Sequence, residues 1–140
     1  MSKPEKASFS WISNDSSTHD AYITIDKQLR LYVSSKARKL FGFDEAGTFS
    51  LYVGYDAINK RLVLGKVDVN SPANVKPFKF DARCYASARP FIAKTDIDPK
   101  SLPLRYEYVG RNRADGMYPA GVYLFTLEGF QSPDGGIFAE

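Results

Sequence analysis

The sequence predicts a mainly β fold with one or two short helices, laid out as two pseudo-repeats within one chain. Three observations carry that reading. Short runs of β-branched, leucine and aromatic residues recur between turn signals. The aromatic share is 14%, from 10 Phe and 9 Tyr, and these residue types suit a pleated, half-buried surface. The same order of elements is also legible twice. A length of 140 residues suits one domain or two very small halves, and it is enough to bury a core.

Residues 1–19 form a polar N-terminal arm, interrupted by Phe9-Ser10-Trp11-Ile12. Either the arm frays, or period-two alternation buries Phe9 and Trp11 together on a short edge strand. The first half, 20–67, carries strands at 23–26, 29–33, 49–53 and 61–64, the last two joined by the turn-like Asp56-Ala57-Ile58-Asn59-Lys60. A helix of one or two turns starts at Ser34 or Ser35 and runs to Phe41. Serine is a good N-cap, Ala37, Leu40 and Phe41 repeat at helical spacing, and Gly42 supplies the stop.

Residues 68–76 read as a linker, flagged by Asn70-Ser71-Pro72 and the following Lys76-Pro77. The second, diverged half spans 77–130. Phe78-Lys79-Phe80-Asp81 parallels Ile23-Thr24-Ile25-Asp26, and Arg83-Cys84-Tyr85-Ala86-Ser87 parallels Arg30-Leu31-Tyr32-Val33-Ser34. Downstream, residues 107–110 parallel 51–54 and 124–127 parallel 62–65. On this alignment Asp81 to Arg83 is shorter than Asp26 to Arg30, and Pro90 falls in the first turn of the second helix, where its missing N–H is harmless. Gly116, Pro119 and Gly121 mark a long hairpin loop with Arg111 and Arg113 at its base. Residues 131–140 read as a flexible tail.

Several chemistries are disfavoured. Cys84 is the only cysteine and His19 the only histidine, so neither an internal disulfide nor a Cys/His metal site is expected. A catalytic triad would have to use His19, in the polar arm, and no P-loop, G-x-S-x-G or G-x-G-x-x-G occurs. Asp44, Glu45, Asp96 and Asp98 fall in turns, where carboxylates are usually solvated. The expectation is a non-enzyme without cofactor or metal. No apolar run is long enough to span a bilayer and no signal-peptide core opens the chain, so a cytoplasmic protein is expected, associated with the nucleoid if bacterial.

The formal net charge of +3 says little, but its distribution says more. Lys27, Arg30, Lys36, Arg38 and Lys39 come with no acid between Asp26 and Asp44. Asp26, Arg30, Leu31, Val33, Arg38, Phe41, Gly42 and Phe43 fall without a gap on the pattern D-x-x-G-R-φ-x-φ-P-x-x-x-R-x-x-φ-G-φ, where φ is apolar, and Phe49, Leu51, Tyr52 and Val53 continue it. In this the chain resembles the AbrB-like, swapped-hairpin DNA-binding domains of bacterial transcription regulators. Leu29 stands where that family has glycine, Ser34 where it has proline, and Ile23 where a further arginine precedes the aspartate. The resemblance covers about a third of the chain. It implies a swapped-hairpin-like β-barrel in which two copies interleave their strands, here fused in one chain.

The resemblance also implies contact with double-stranded DNA through Arg30 and Arg38, with Lys39 at a position often basic. Lys27 and Lys36 complete the cluster, and Arg83, Arg89 and Lys94 are its thinner second-half counterparts. Lysine and arginine contacts to phosphate release counterions and make affinity fall with salt. The expected function is transcriptional regulation by a basic hairpin and helix. Three alternatives stay open: a small protein-interaction module such as an inhibitor of a partner protein, a structural subunit, and a single-stranded nucleic-acid binder stacking Tyr32, Tyr52, Tyr85 or Tyr108 on bases. Homodimerisation also stays open.

Overall fold

Two aspartates set the frame of the fold. The computed structural model describes residues 9, 11, 21–43, 47–112 and 117–135. Asp26 Oδ1 accepts the backbone N–H groups of Gln28 and Arg30, both at 3.0 Å. Asp81 Oδ1 does the same for Arg83 at 2.9 Å and Tyr85 at 3.0 Å. Such side-chain to backbone bonds fold the chain back on itself. In each turn the residue before the returning strand is left-handed, Leu29 at φ 59° and Cys84 at φ 74°. That conformation costs a side chain about 1 kcal/mol, and it is where glycine would be free of strain.

The first turn joins β1 (Tyr22–Ile25) to β2 (Arg30–Val33), so Leu29 belongs to the turn and not to the strand. Helix α1 (Ser35–Leu40) follows, then β3 (Phe49–Asp56) and β4 (Arg61–Lys66). The plan repeats as β5 (Phe78–Phe80), β6 (Tyr85–Ser87), α2 (Arg89–Ala93), a 3-10 turn at Pro99–Ser101, β7 (Leu104–Asn112) and β8 (Val122–Leu127). Helix α1 is well specified. Ser34 Oγ accepts the N–H of Ala37, and Gly42, at φ 89°, and Phe43 return their N–H groups to Lys39 and Arg38. Pro90 stands in the first turn of α2.

Among the described residues eight strands pair antiparallel in one sheet of order β5-β3-β4-β8-β7-β1-β2-β6. Its two ends lie against each other, and Asp81 N–H donates to Tyr85 O between them, which nearly closes a barrel. The mainly β barrel with two short helices is therefore as expected. Exchanging β1 with β5, β2 with β6, β3 with β7 and β4 with β8 leaves the closed order unchanged. The register obeys the same exchange: Ile25 faces Leu104 while Phe80 faces Phe49, and Arg30 faces Ser87 while Tyr85 faces Tyr32. Val33 donates to Cys84 O, and Ala88 donates to Leu29 O. β1 pairs along β7 and β5 along β3, so each segment supplies the edge partner of the other.

This register shifts the alignment read from sequence. Arg30 occupies the place of Tyr85 and not of Arg83, because the two aspartate turns have the same length. Likewise Tyr106 is the counterpart of Leu51, and a bulge between Tyr108 and Gly110 restores the glycine match with Gly54.

The interior is filled by Ile23, Ile25, Leu31, Val33, Phe41, Leu51, Leu62, Leu64, Phe80, Tyr106 and Phe125. Alternate residues of β1 and β2 point in, as period two requires. A second apolar cluster, Tyr118, Val122 and Leu124 with Val63, lies apart from this core. Phe9 and Trp11 are exposed and meet edge-to-face at 5.0 Å, which departs from the buried edge strand, and Ile12 lies outside the described residues. Ser132 Oγ donates to Asn59 O, and Asp134 meets the buried Arg61.

Candidate nucleic-acid interface

The outward residues of β2 and β6 are Arg30, Tyr32, Tyr85 and Ser87, and the two aspartate turns flank them. Arg30 follows from the turn that Asp26 makes. Its Nε donates to Asp26 Oδ2 at 2.8 Å, and its guanidinium lies 4.4 Å from the Tyr85 ring centre. Arg83, exposed on the second turn, lies over the same ring at 5.8 Å. Arg89, exposed at the start of α2, shares a shallow concavity of about 260 Å³ with Gln28, Arg30, Asp81 and Tyr85. Lys27 is exposed on the first turn, and Lys36 and Lys39 are exposed on α1.

Three of the expected residues thus come together around the β2–β6 pairing, Arg30, Arg83 and Arg89, while Lys27 is exposed on the first turn. Arg38 is used differently. Its Nε donates to Phe43 O at 2.8 Å, Nη2 to Gly47 O at 3.1 Å and Nη1 to Ala82 O at 3.4 Å. Its guanidinium also lies 5.2 Å from the Phe49 ring centre. These bonds tie α1 to the chain leading into β3 and to the second aspartate turn. Carbonyl oxygens occupy the directions in which a phosphate would sit.

The cations share the face with acids. The N–H of Tyr85, helped by that of Arg83 and by the charges of Arg83 and Arg30, holds the Asp81 carboxyl below its ordinary value. Asp81 therefore stays ionised and serves its turn, tempering the positive field beside it.

Sequence reasoning named Tyr32 and Tyr85 as stacking candidates but missed that Tyr22 extends them into a row. Tyr22 and Tyr32 are 6.3 Å apart between ring centres, and Tyr32 and Tyr85 are 4.9 Å apart. Arg105, absent from the expected set, lies 3.8 Å over Tyr22. Its signal was available: Tyr22, Thr24, Arg30 and Tyr32 occupy the outward positions of alternating strands. Tyr108 does not join the row, since it packs on Phe125 at 5.4 Å.

A second constellation was not legible at all. Arg61 is fully buried and donates to Thr126 Oγ1, to Tyr118 Oη and to both carboxylate oxygens of Asp134. Tyr118 in turn donates to Asp56 Oδ2 at 2.5 Å. Burial works against ionisation of Asp56, yet its bonds from Asn59, Tyr118 and Ile58 outweigh that and hold its carboxyl below the usual value. Burial raises the Tyr118 hydroxyl, as does its bond to Asp56. These partners of Arg61 are fold contacts that tie β4, β8, the long connection and the tail together.

Among the described residues no group of three or more His, Cys, Asp or Glu is placed to hold a metal ion, and no helix is long and apolar enough to cross a membrane. Comparison of the chain with family models, with curated proteins and with solved structures gives no match.

Proposed function

We propose that this chain binds double-stranded DNA through the face built on β2 and β6, as a transcriptional regulator of the swapped-hairpin kind. The observation that carries the reading is the gathering of Arg30, Arg83 and Arg89 around Tyr85 from two distant segments. A compact set of cations on a rigid sheet suits phosphates at fixed spacing. The exchange symmetry of the strand pairing adds support, because interleaved hairpins are the plan that the resemblance implies. A fused pair of unlike halves would meet a pseudo-palindrome asymmetrically.

A second reading has its own observation. The row Tyr22, Tyr32, Tyr85, edged by Arg30 and Arg105, offers stacking surface to the bases of a single strand. Fluorescence anisotropy of labelled duplex and single strand at two salt concentrations decides between them. The duplex is expected to bind more tightly, with affinity falling as salt rises. Tighter single-strand binding would transfer the function to the tyrosine row. Absence of binding to either at low salt would remove nucleic acid and favour a protein partner.

A further inference from the structure

We propose that Arg30 reads the edge of a guanine and that Asp26 is its positioning residue, an assignment that rests on the duplex reading above. Arg30 is held unlike its neighbours. Its Nε donates to Asp26 Oδ2 at 2.8 Å, and its guanidinium carbon lies 4.4 Å from the Tyr85 ring centre. Asp26 is itself fixed, because Oδ1 accepts the N–H groups of Gln28 and Arg30 and its own N–H donates to Arg30 O. The remaining nitrogens of Arg30, Nη1 and Nη2, have no hydrogen-bond partner among the described residues, and the side chain is 41% exposed. A guanidinium anchored through Nε and stacked on a ring keeps one free edge with two parallel N–H donors. In the major groove O6 and N7 of guanine are the adjacent acceptors that match this edge, whereas adenine puts a donor beside N7. β2 and β6 form an antiparallel pair, the kind of ribbon that the major groove admits.

The other arginines of the face are not held in this way. Arg83 and Arg89 are exposed, and their side chains make no hydrogen bond among the described residues. Free to swing, they suit phosphates, which carry no sequence information. Arg105 stacks on Tyr22, but its Nε makes no hydrogen bond to Glu107, 3.3 Å away, so the bond that would fix its fork is missing. A carboxylate at 2.8 Å cancels most of the field of Arg30, so this arginine adds little to counterion release. What it adds is direction. The second segment has no equal: Tyr85 holds the place of Arg30 in the register, and no ion pair to Asp81 forms among the described residues. One half of a pseudo-palindrome is therefore read at a guanine and the other is not.

Selection by the full chain from a pool of random duplexes, followed by anisotropy on the selected duplex, tests the assignment. The intact protein should enrich guanine at one position, without its mirror image in the other half-site. Replacing that guanine by 7-deazaguanine, which lacks N7, should weaken binding about tenfold. Arg30→Lys keeps the charge and loses the fork. Asp26→Asn keeps an acceptor for the turn and loses the one for Nε. Both variants should bind the normal and deaza duplexes alike, with the salt slope of the intact protein. The deazaguanine comparison uses the intact chain, so it decides even if a variant fails to fold. Duplex binding without guanine enrichment, indifference of the intact protein to deazaguanine, or a preference that survives in both variants would overturn the assignment and leave the duplex reading standing. No duplex binding at low salt would overturn both.

Discussion

The two segments of this barrel run the same course with different side chains. Each begins with an aspartate turn, sends a strand along its counterpart, and passes through a short helix. Helix α1 is capped by Ser34, whose Oγ also accepts the N–H of Tyr22, and is stopped by Gly42. Helix α2 has a buried alanine as N-cap and no side-chain cap bond. β3 and β4 meet through a tight turn around Asp56, whereas β7 and β8 are joined by a long connection that returns Tyr118 to Arg61. The lesson is a division of labour. Register needs the apolar alternation and the aspartate turns, which both segments keep. Capping and polar closure can then differ, because packing in the shared core holds either version.

Three contrasts between substitutions press on that comparison, the largest effect first. Arg61→Ala removes a buried cation of β4 to which β8 of the second segment, the long connection and the tail all attach. The expected loss is about 2–3 kcal/mol, trimmed because Asp134 is partly open to water, and it is read from denaturant unfolding. At the counterpart position, Val122→Ala should cost less, about 1 kcal/mol, since only two methyl groups go. An equal cost would mean that the polar closure does not distinguish the segments.

Next comes the contrast between arginines. Arg38→Ala leaves three carbonyls with lost donors and should lower stability by about 1–2 kcal/mol. Arg83→Ala with Arg89→Ala, both exposed, should leave the melting temperature unchanged, weaken duplex binding and flatten its salt dependence. If Arg38→Ala unfolds no more easily than the double variant, the clamp role is wrong. The smallest contrast is between two serines. Ser34→Ala should cost about 1–2 kcal/mol through a cap that is itself buried, while Ser87→Ala, with one 3.3 Å bond to Arg89 N–H, should stay within about 0.5 kcal/mol. Equal melting shifts would show that α1 does not depend on its cap.

What was legible in the sequence was local. Alternation located most of the strands, Ser34 and Gly42 bounded α1, and the recurring Asp-to-strand pattern marked both turns, since each rests on residues within a few positions of one another. The alignment of the segments slipped by two residues at Arg83 because similar letters, Arg-x-Tyr, outweighed the turn geometry set by Asp81. Among the candidate residues, exposure of Lys27, Lys36, Lys39, Arg83 and Arg89 follows from their being charged, since an ion loses solvation on burial. The fate of Arg38 could not be read that way. Its acceptors include Ala82 O, in the other segment, and a guanidinium bound for a phosphate has the same letter as one bound for a carbonyl.

By itself, then, the sequence determined a mainly β chain with short helices, two aspartate turns and a basic stretch, because these depend on short-range periodicity and on bonds a few residues long. Tertiary structure alone decided which segment lends a strand to which, that Tyr22, Tyr32 and Tyr85 form one row, and that Arg61 is buried against Tyr118 and Asp134. The physical reason is distance along the chain. Those partners are brought together by barrel closure, and until the sheet closes no local preference distinguishes a buried arginine from a solvated one.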